Sequence, residues 1–252
     1  MSDETEDERW ERLSQDRIHR PLPKRFYKSV AVTDRLGIAL DGRTVKTPLK
    51  AALVLPTRPL ADTVAAEWDA QVDVISPHAM PLTKLANTAI DRATTEKFKI
   101  AAEILEFAGS DMVCYRAEGP AGLVQRQTTH WDPIMAWAKA DLNVGFETVN
   151  TVAHRRQSPA ALQALEAHIN SLDPFSFVAV HNLTALTGSA LLAAMVATGE
   201  ISADAAWLAA NVDEDWQIAT WGEDDEAMAR RAGRLNEFSA SVKFVCLARG
   251  LP

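Results

Sequence analysis

The residues able to move a proton, attack a carbonyl or hold a metal are few and scattered. Six histidines occur, His19, His78, His130, His154, His168 and His181, and none stands in an HExxH pair or beside cysteines and carboxylates at ligand spacing. No metal is expected. Cys114 and Cys246 lie far apart and outside any CxxC, which argues against a disulfide framework and fits a reducing compartment. Cys114 and His130 would make a thiolate pair only in polar surroundings, whereas Met112, Val113 and Tyr115 set the thiol in an apolar string that raises its pKa. Glu67 and Asp69 remain as candidate acid or base groups. There is no GxxxxGK[ST] and no GxGxxG after a strand, so no nucleotide or other cofactor is expected. Thr187, Gly188 and Ser189 fall inside an apolar helical pattern, where Gly188 and Ser189 read as small residues at a helix crossing.

Binding surface is the better-supported chemistry. Seven tryptophans accompany only two tyrosines, and tryptophan is at home both as an interface anchor and in cores. Trp68 continues a stripe begun by Leu60 and Val64, and Trp131 and Trp137 lie in a helical segment, so these three read as packing residues. Projected as one helix, Ser202 to Trp221 places Trp207, Ala210, Asn211, Glu214, Ile218 and Trp221 on one face, with Asp213, Asp215 and Trp216 elsewhere. Glu214 thus interrupts an apolar stripe. It is either ion-paired with an arginine of the next helix, Arg230 or Arg231, or it contacts another protein.

The elements that position these residues are of two kinds. From Phe26 to Leu55 the pattern is that of strands: Val30 and Val32 alternate with polar neighbours, as do Ile38 and Leu40, and Asp41-Gly42 signals a hairpin before Thr44, Val45 and Thr47. A short strand, Ala52 to Leu55, ends at Pro56. Thr57 can cap a helix carrying Leu60, Val64 and Trp68, packed on the sheet. From Leu82 the period becomes helical, first through Leu85, Ala86, Ala89 and Ile90, then Phe98, Ala101, Ala102 and Leu105 before Gly109. Further helices are expected around 123–141, 159–172, 176–198, 203–221 and 223–249. The last opens with Glu223, Asp224, Asp225 and Glu226 and carries Arg230, Arg231 and Arg234 later, an order that complements the helix dipole. The expected organisation is a mobile or frayed acidic head at 1–24, an α+β domain at 25–92 and an all-α multi-helix domain at 93–252.

Composition bounds the partners. With 252 residues, 47% hydrophobic and 24% charged, the chain is that of a folded protein. Its net charge of −8 repels phosphate backbones and anionic lipid, so nucleic acid is not an expected partner. The longest apolar stretch, 177–198, is interrupted by His181, Asn182, Thr184, Thr187 and Ser189, too polar for membrane insertion. The opening MSDETEDE suits neither a secretory signal nor a mitochondrial presequence, which places the chain in the cytoplasm or makes it a matured organelle protein.

The strings RFYKSVAV, LDGRTVKTP, EWDAQ, MPLTKLANTAIDR, CYRAEGP, QTTHWDPIMAW, LTGSALLAA and DEDWQIATWGEDDEA occur here in the order and rough spacing of a known family. From about Arg25 to Leu247 the chain resembles the F-type ATP synthase assembly chaperones that bind the unassembled alpha subunit, known as ATP synthase assembly factor two or the ATP-twelve family. The resemblance implies an ATP-independent, non-enzymatic holdase. Such a protein shields alpha-subunit surface until the beta subunit covers it, and has an α+β domain followed by a helical one. It also implies functional sensitivity at Trp68, in EWDAQ, and at one acid among Asp213, Glu214 and Asp215, with Trp216 and Trp221 in the same block as further partner-binding candidates. The lack of a visible presequence favours a bacterial cytoplasmic member. Two rival readings are a small hydrolase or transferase using Cys114, Glu67 or Asp69, and a structural subunit retained in the finished complex.

Overall fold

The computed structural model describes residues 22–150 and 155–251; the head, apart from Leu22 to Lys24, lies outside the described residues, as do His19 and His154. Three short strands, β1 (Val30–Val32), β2 (Ile38–Leu40) and β3 (Arg43–Thr44), form an antiparallel sheet in the order β1-β2-β3. Asp41 and Gly42 take φ of 47° and 78°, the left-handed pair that a two-residue hairpin turn requires and that aspartate followed by glycine tolerates. The strand expected at Ala52 to Leu55 is instead a pair of isolated bridges, Lys46 to Ala52 and Gly37 to Val54. Leu53 is clamped between the Val45 carbonyl and the Ile38 N–H, but no continuous ladder develops around it.

Helix α1 (Arg58–Asp69) starts where Thr57 accepts the Leu60 N–H, and it buries Leu60, Ala61 and Val64. The Thr57 hydroxyl also donates to the Leu247 carbonyl at 2.6 Å, joining this helix start to the last helix. Then follow α2 (Pro81–Asp91), α3 (Lys97–Gly109), α4 (Ala121–Asp141), α5 (Pro159–Ser171), α6 (Pro174–Thr187), α7 (Ala190–Thr198), α8 (Ala203–Ala210), α9 (Val212–Trp221) and α10 (Asp225–Arg249). A continuous cluster of buried side chains runs from Ile38 and Leu53 through α1 and α2 to Phe244 and Val245 of α10. A satellite cluster of Tyr27, Leu40, Ile75 and Met80 lies beside it.

Two expected helices are each divided. The segment 176–198 breaks at Gly188, whose φ of 70° closes α6, and Ser189 then caps α7 through the Leu192 N–H. These two residues are therefore a stop and a start, not small residues at a crossing, because glycine enters the left-handed region without a Cβ clash. The segment 203–221 breaks at Asn211, so α9 restarts at Val212. Trp131 and Trp137 are buried, and the Trp131 Nε1–H donates to the Ala209 carbonyl at 2.8 Å.

Helix α7 is buried on every side, from Ala190 through Ala197, as a helix without a polar face must be. Its first turn is sealed by Asp111, a fully buried carboxylate that accepts the Leu191 N–H at 3.0 Å and the Val113 N–H at 3.2 Å. Burial pushes the Asp111 pKa up to about 6, opposed by its hydrogen bonds with Ser189, Leu191, Val113 and Ala190. The folded protein therefore keeps a proton that the unfolded chain releases. This contribution to stability is complete below the unfolded pKa and is lost as pH rises through about 6. Scanning calorimetry from pH 4 to 7 should show the Tm advantage of wild type over Asp111→Asn shrinking as pH rises; a constant difference would contradict this linkage.

Candidate functional site

Helix α9 meets α10 through charge. Glu214 pairs with Arg234 and, at 3.4 Å, with Arg231, while Asp215 reaches Arg231 at 2.5 Å. The Arg231 guanidinium also lies 5.6 Å from the centre of the Trp207 ring. Arg230 turns instead to Glu226 at 2.5 Å, the i,i+4 pairing read from the sequence. Asp215 and Glu214 stand about 100° apart on one helix turn, yet both meet one arginine, because the two amino groups of the Arg231 fork reach one carboxylate each.

The other acid and the first tryptophan of this block face α4. Asp213 accepts the Gln127 side-chain N–H at 2.8 Å, and Gln127 in turn accepts the Ala117 N–H at 2.8 Å. The outer edge of the Trp216 ring closes on Gly122, where an added Cβ would stand 2.7 Å from it, and the Arg126 guanidinium lies over the ring at 5.2 Å. Neither Gly122 nor Arg234 was marked by the sequence: a lone glycine in a helix has many uses, and Arg234 looked like dipole chemistry. Trp221, by contrast, is 85% exposed at the end of α9.

Trp68 belongs to a different surface. It packs edge-on to Tyr27, with ring centres 5.9 Å apart, and its carbonyl accepts the Tyr27 hydroxyl at 2.6 Å. The structure thus brings Glu214 and Asp215 together, sets Asp213 and Trp216 against α4, leaves Trp221 projecting, and places Trp68 on the sheet side.

The groups considered for catalysis are committed elsewhere. Glu67 accepts the Leu82 and Thr83 N–H groups at 2.8 and 2.7 Å and the Thr83 hydroxyl at 2.7 Å, sealing the start of α2. Its own desolvation raises its pKa against those hydrogen bonds. Asp69 pairs with Arg25 at 3.2 Å. The Cys114 thiol is pushed up to about 12, first by burial and then by the Asp111 charge, so the thiolate is scarce at neutral pH. His168 stands edge-on to Trp137, and burial lowers its pKa. Among the described residues, no three histidine, cysteine or carboxylate groups are placed to hold a metal ion, and no helix is long and apolar enough to cross a membrane.

A small three-stranded antiparallel sheet joined to a largely helical body is the architecture of a chaperone already seen in crystals. The crystal structure of ATP12 from Paracoccus denitrificans is 38% identical, with a TM-score of 0.83 over 90% of this chain and 99% of that one. A protein from Agrobacterium tumefaciens is 43% identical, with a TM-score of 0.82 over 93% of this chain and 89% of its own. The mitochondrial protein atp12 of Schizosaccharomyces pombe is 24% identical over 227 residues, 82% of this chain and 78% of that protein. The family model described as ATP12 chaperone protein matches residues 24–139. The chain belongs to the ATP12 chaperone family.

The ion-pair cluster and the Trp216 contact can be tested by melting. Glu214→Lys sets a cation against Arg231 and Arg234 and should cost about 1–2 kcal/mol, a discounted value for a partly exposed network; an unchanged Tm would show that the cluster is not stabilising. Gly122→Val should displace Trp216 at a cost of about 1–3 kcal/mol, with a change in tryptophan emission.

Proposed function

We propose that this ATP synthase assembly chaperone is an ATP-independent holdase for the unassembled alpha subunit of F-type ATP synthase. It covers alpha-subunit surface that would otherwise aggregate, and it hands the subunit to the beta subunit in the cytoplasm of a bacterium. The reading rests on the family membership and on the sequence blocks that run from about Arg25 to Leu247. The single structural observation that supports it is Trp221, an 85% exposed tryptophan in the block DEDWQIATWGEDDEA. Exposing so large an apolar side chain is unfavourable for an isolated protein and favourable at an interface that desolvates it. Hand-over needs no fuel: a chaperone that binds only the free subunit is displaced when a partner offers a larger or tighter interface. The catalytic alternative is disfavoured by a buried thiol held near 12 and by carboxylates engaged in capping and pairing.

Light scattering of purified alpha subunit with and without the chaperone tests the reading; absence of both binding and suppression of aggregation would reject it. Trp221→Ala should leave Tm nearly unchanged, as surface substitutions usually do to within about 0.5 kcal/mol. It should weaken alpha-subunit binding about tenfold or more, the loss typical of an interface anchor. Retention of the chain in purified, intact ATP synthase would instead favour a structural subunit.

A further inference from the structure

The sheet side of the molecule carries a second, unassigned surface. Between positions 22 and 50 stand seven basic residues and two acidic ones, in a chain whose net charge is −8. The satellite cluster lies beneath this basic stretch with only Tyr27, Leu40, Ile75 and Met80 fully buried, while Val30, Val45 and Trp68 are partly open. Over it runs a groove of about 580 Å³, walled on one side by Phe26, Tyr27 and Trp68 and on the other by the β2–β3 hairpin, a volume in the range that takes a bulky side chain and its neighbours.

The aromatic wall is preorganised. The Phe26 ring stands edge-on to Tyr27 at 5.3 Å, yet 74% of Phe26 is exposed. Arg25 covers Tyr27 at 4.6 Å and is itself anchored to the Asp69 carbonyl at 2.7 Å and to the Gln71 carbonyl. On the hairpin wall Arg43 and Lys46 are exposed and have no carboxylate partner among the described residues. The acid in that wall, Asp41, is already engaged: it accepts the Lys28 and Ser29 N–H groups and the Ser29 hydroxyl, which hold its carboxyl below the usual range. Asp41 keeps its negative charge, but Arg43 and Lys46 outnumber it on this wall, so the balance there is positive, beside an apolar opening.

We propose that this groove docks an acidic, extended segment of a partner protein through one bulky apolar side chain. The side chain completes the satellite core against Val45 and Trp68, and flanking carboxylates meet Arg43 and Lys46. This differs from the Trp221 surface in position and in chemistry, and the two can fail separately.

The test uses the full chain and a fluorescein-labelled decapeptide with one central phenylalanine among glutamates and aspartates, followed by anisotropy. Saturable binding is expected, weakened tenfold or more by Arg43→Glu combined with Lys46→Glu, and by phenylalanine-to-alanine replacement in the peptide. The milder Arg43→Gln, Lys46→Gln pair should weaken it less, and Trp221→Ala should leave it unchanged, with melting curves confirming that each variant is folded. Equal binding of a lysine-for-acid peptide, or indifference to the double charge reversal, would overturn the proposal. So would Arg43-dependent self-association or binding to phosphatidylserine vesicles in place of peptide binding, which would assign the face to a second copy or to lipid.

Discussion

Helix α7 can be surrounded by protein only because both of its ends are sealed by groups other than water. A helix buried on every side offers no polar face, and its unpaired terminal N–H and carbonyl groups would be costly in an apolar interior. Ser189 and the buried Asp111 satisfy the N–H groups of the first turn, and Gly199, in the left-handed region, turns its own N–H back to close the last. Asp111 also closes the turn at Met112–Cys114, while the Met112 N–H reaches the Gly188 carbonyl, so the ends of α6 and α7 are fixed to the segment after α3. Burial of a carboxylate this deep outweighs the several donors that hold it, which is why its protonation bears on the stability of the whole body.

The periphery follows from how charge is spent around that centre. Arg231 serves Glu214, Asp215 and the Trp207 face together, and Arg234 takes the remaining side of Glu214. Glu67 and Asp213 are committed to α2 and α4 in the same way. Two of the exposed faces are aromatic or basic: Trp221 at the end of α9, and Phe26 with Arg43 and Lys46 along the sheet. The acidic sign of the chain as a whole thus conceals a basic, aromatic face on the sheet side, where a partner of opposite charge is steered most effectively.

Much of the fold was legible because local chemistry and tertiary packing agree. Asp41-Gly42 is the hairpin turn, Thr57 is the cap, and the order of acids and arginines in α10 matches its dipole and the Glu226 to Arg230 pair. The divided helices were not legible. Apolar residues continue on both sides of Gly188 and Asn211, so periodicity alone sees one long helix in each case. A helical wheel does not show that one arginine reaches both Glu214 and Asp215, and the pairing of Trp216 with Gly122 has no signal in sequence at all.

By itself the sequence determined most of the element types, the Thr57 cap, the packing role of Trp131 and Trp137, and family blocks too numerous and ordered to be accidental. These depend on interactions within a few residues or on the pattern of the whole chain, and both are written along it. Only the tertiary structure decided which acids are spent and which surfaces stay open. Glu214 is held by arginines 17 and 20 positions away, and Asp213 by a glutamine 86 positions away. Whether a carboxylate is paired, or a tryptophan covered, depends on elements brought together across such distances, and desolvation is a property of that assembled neighbourhood rather than of the residue.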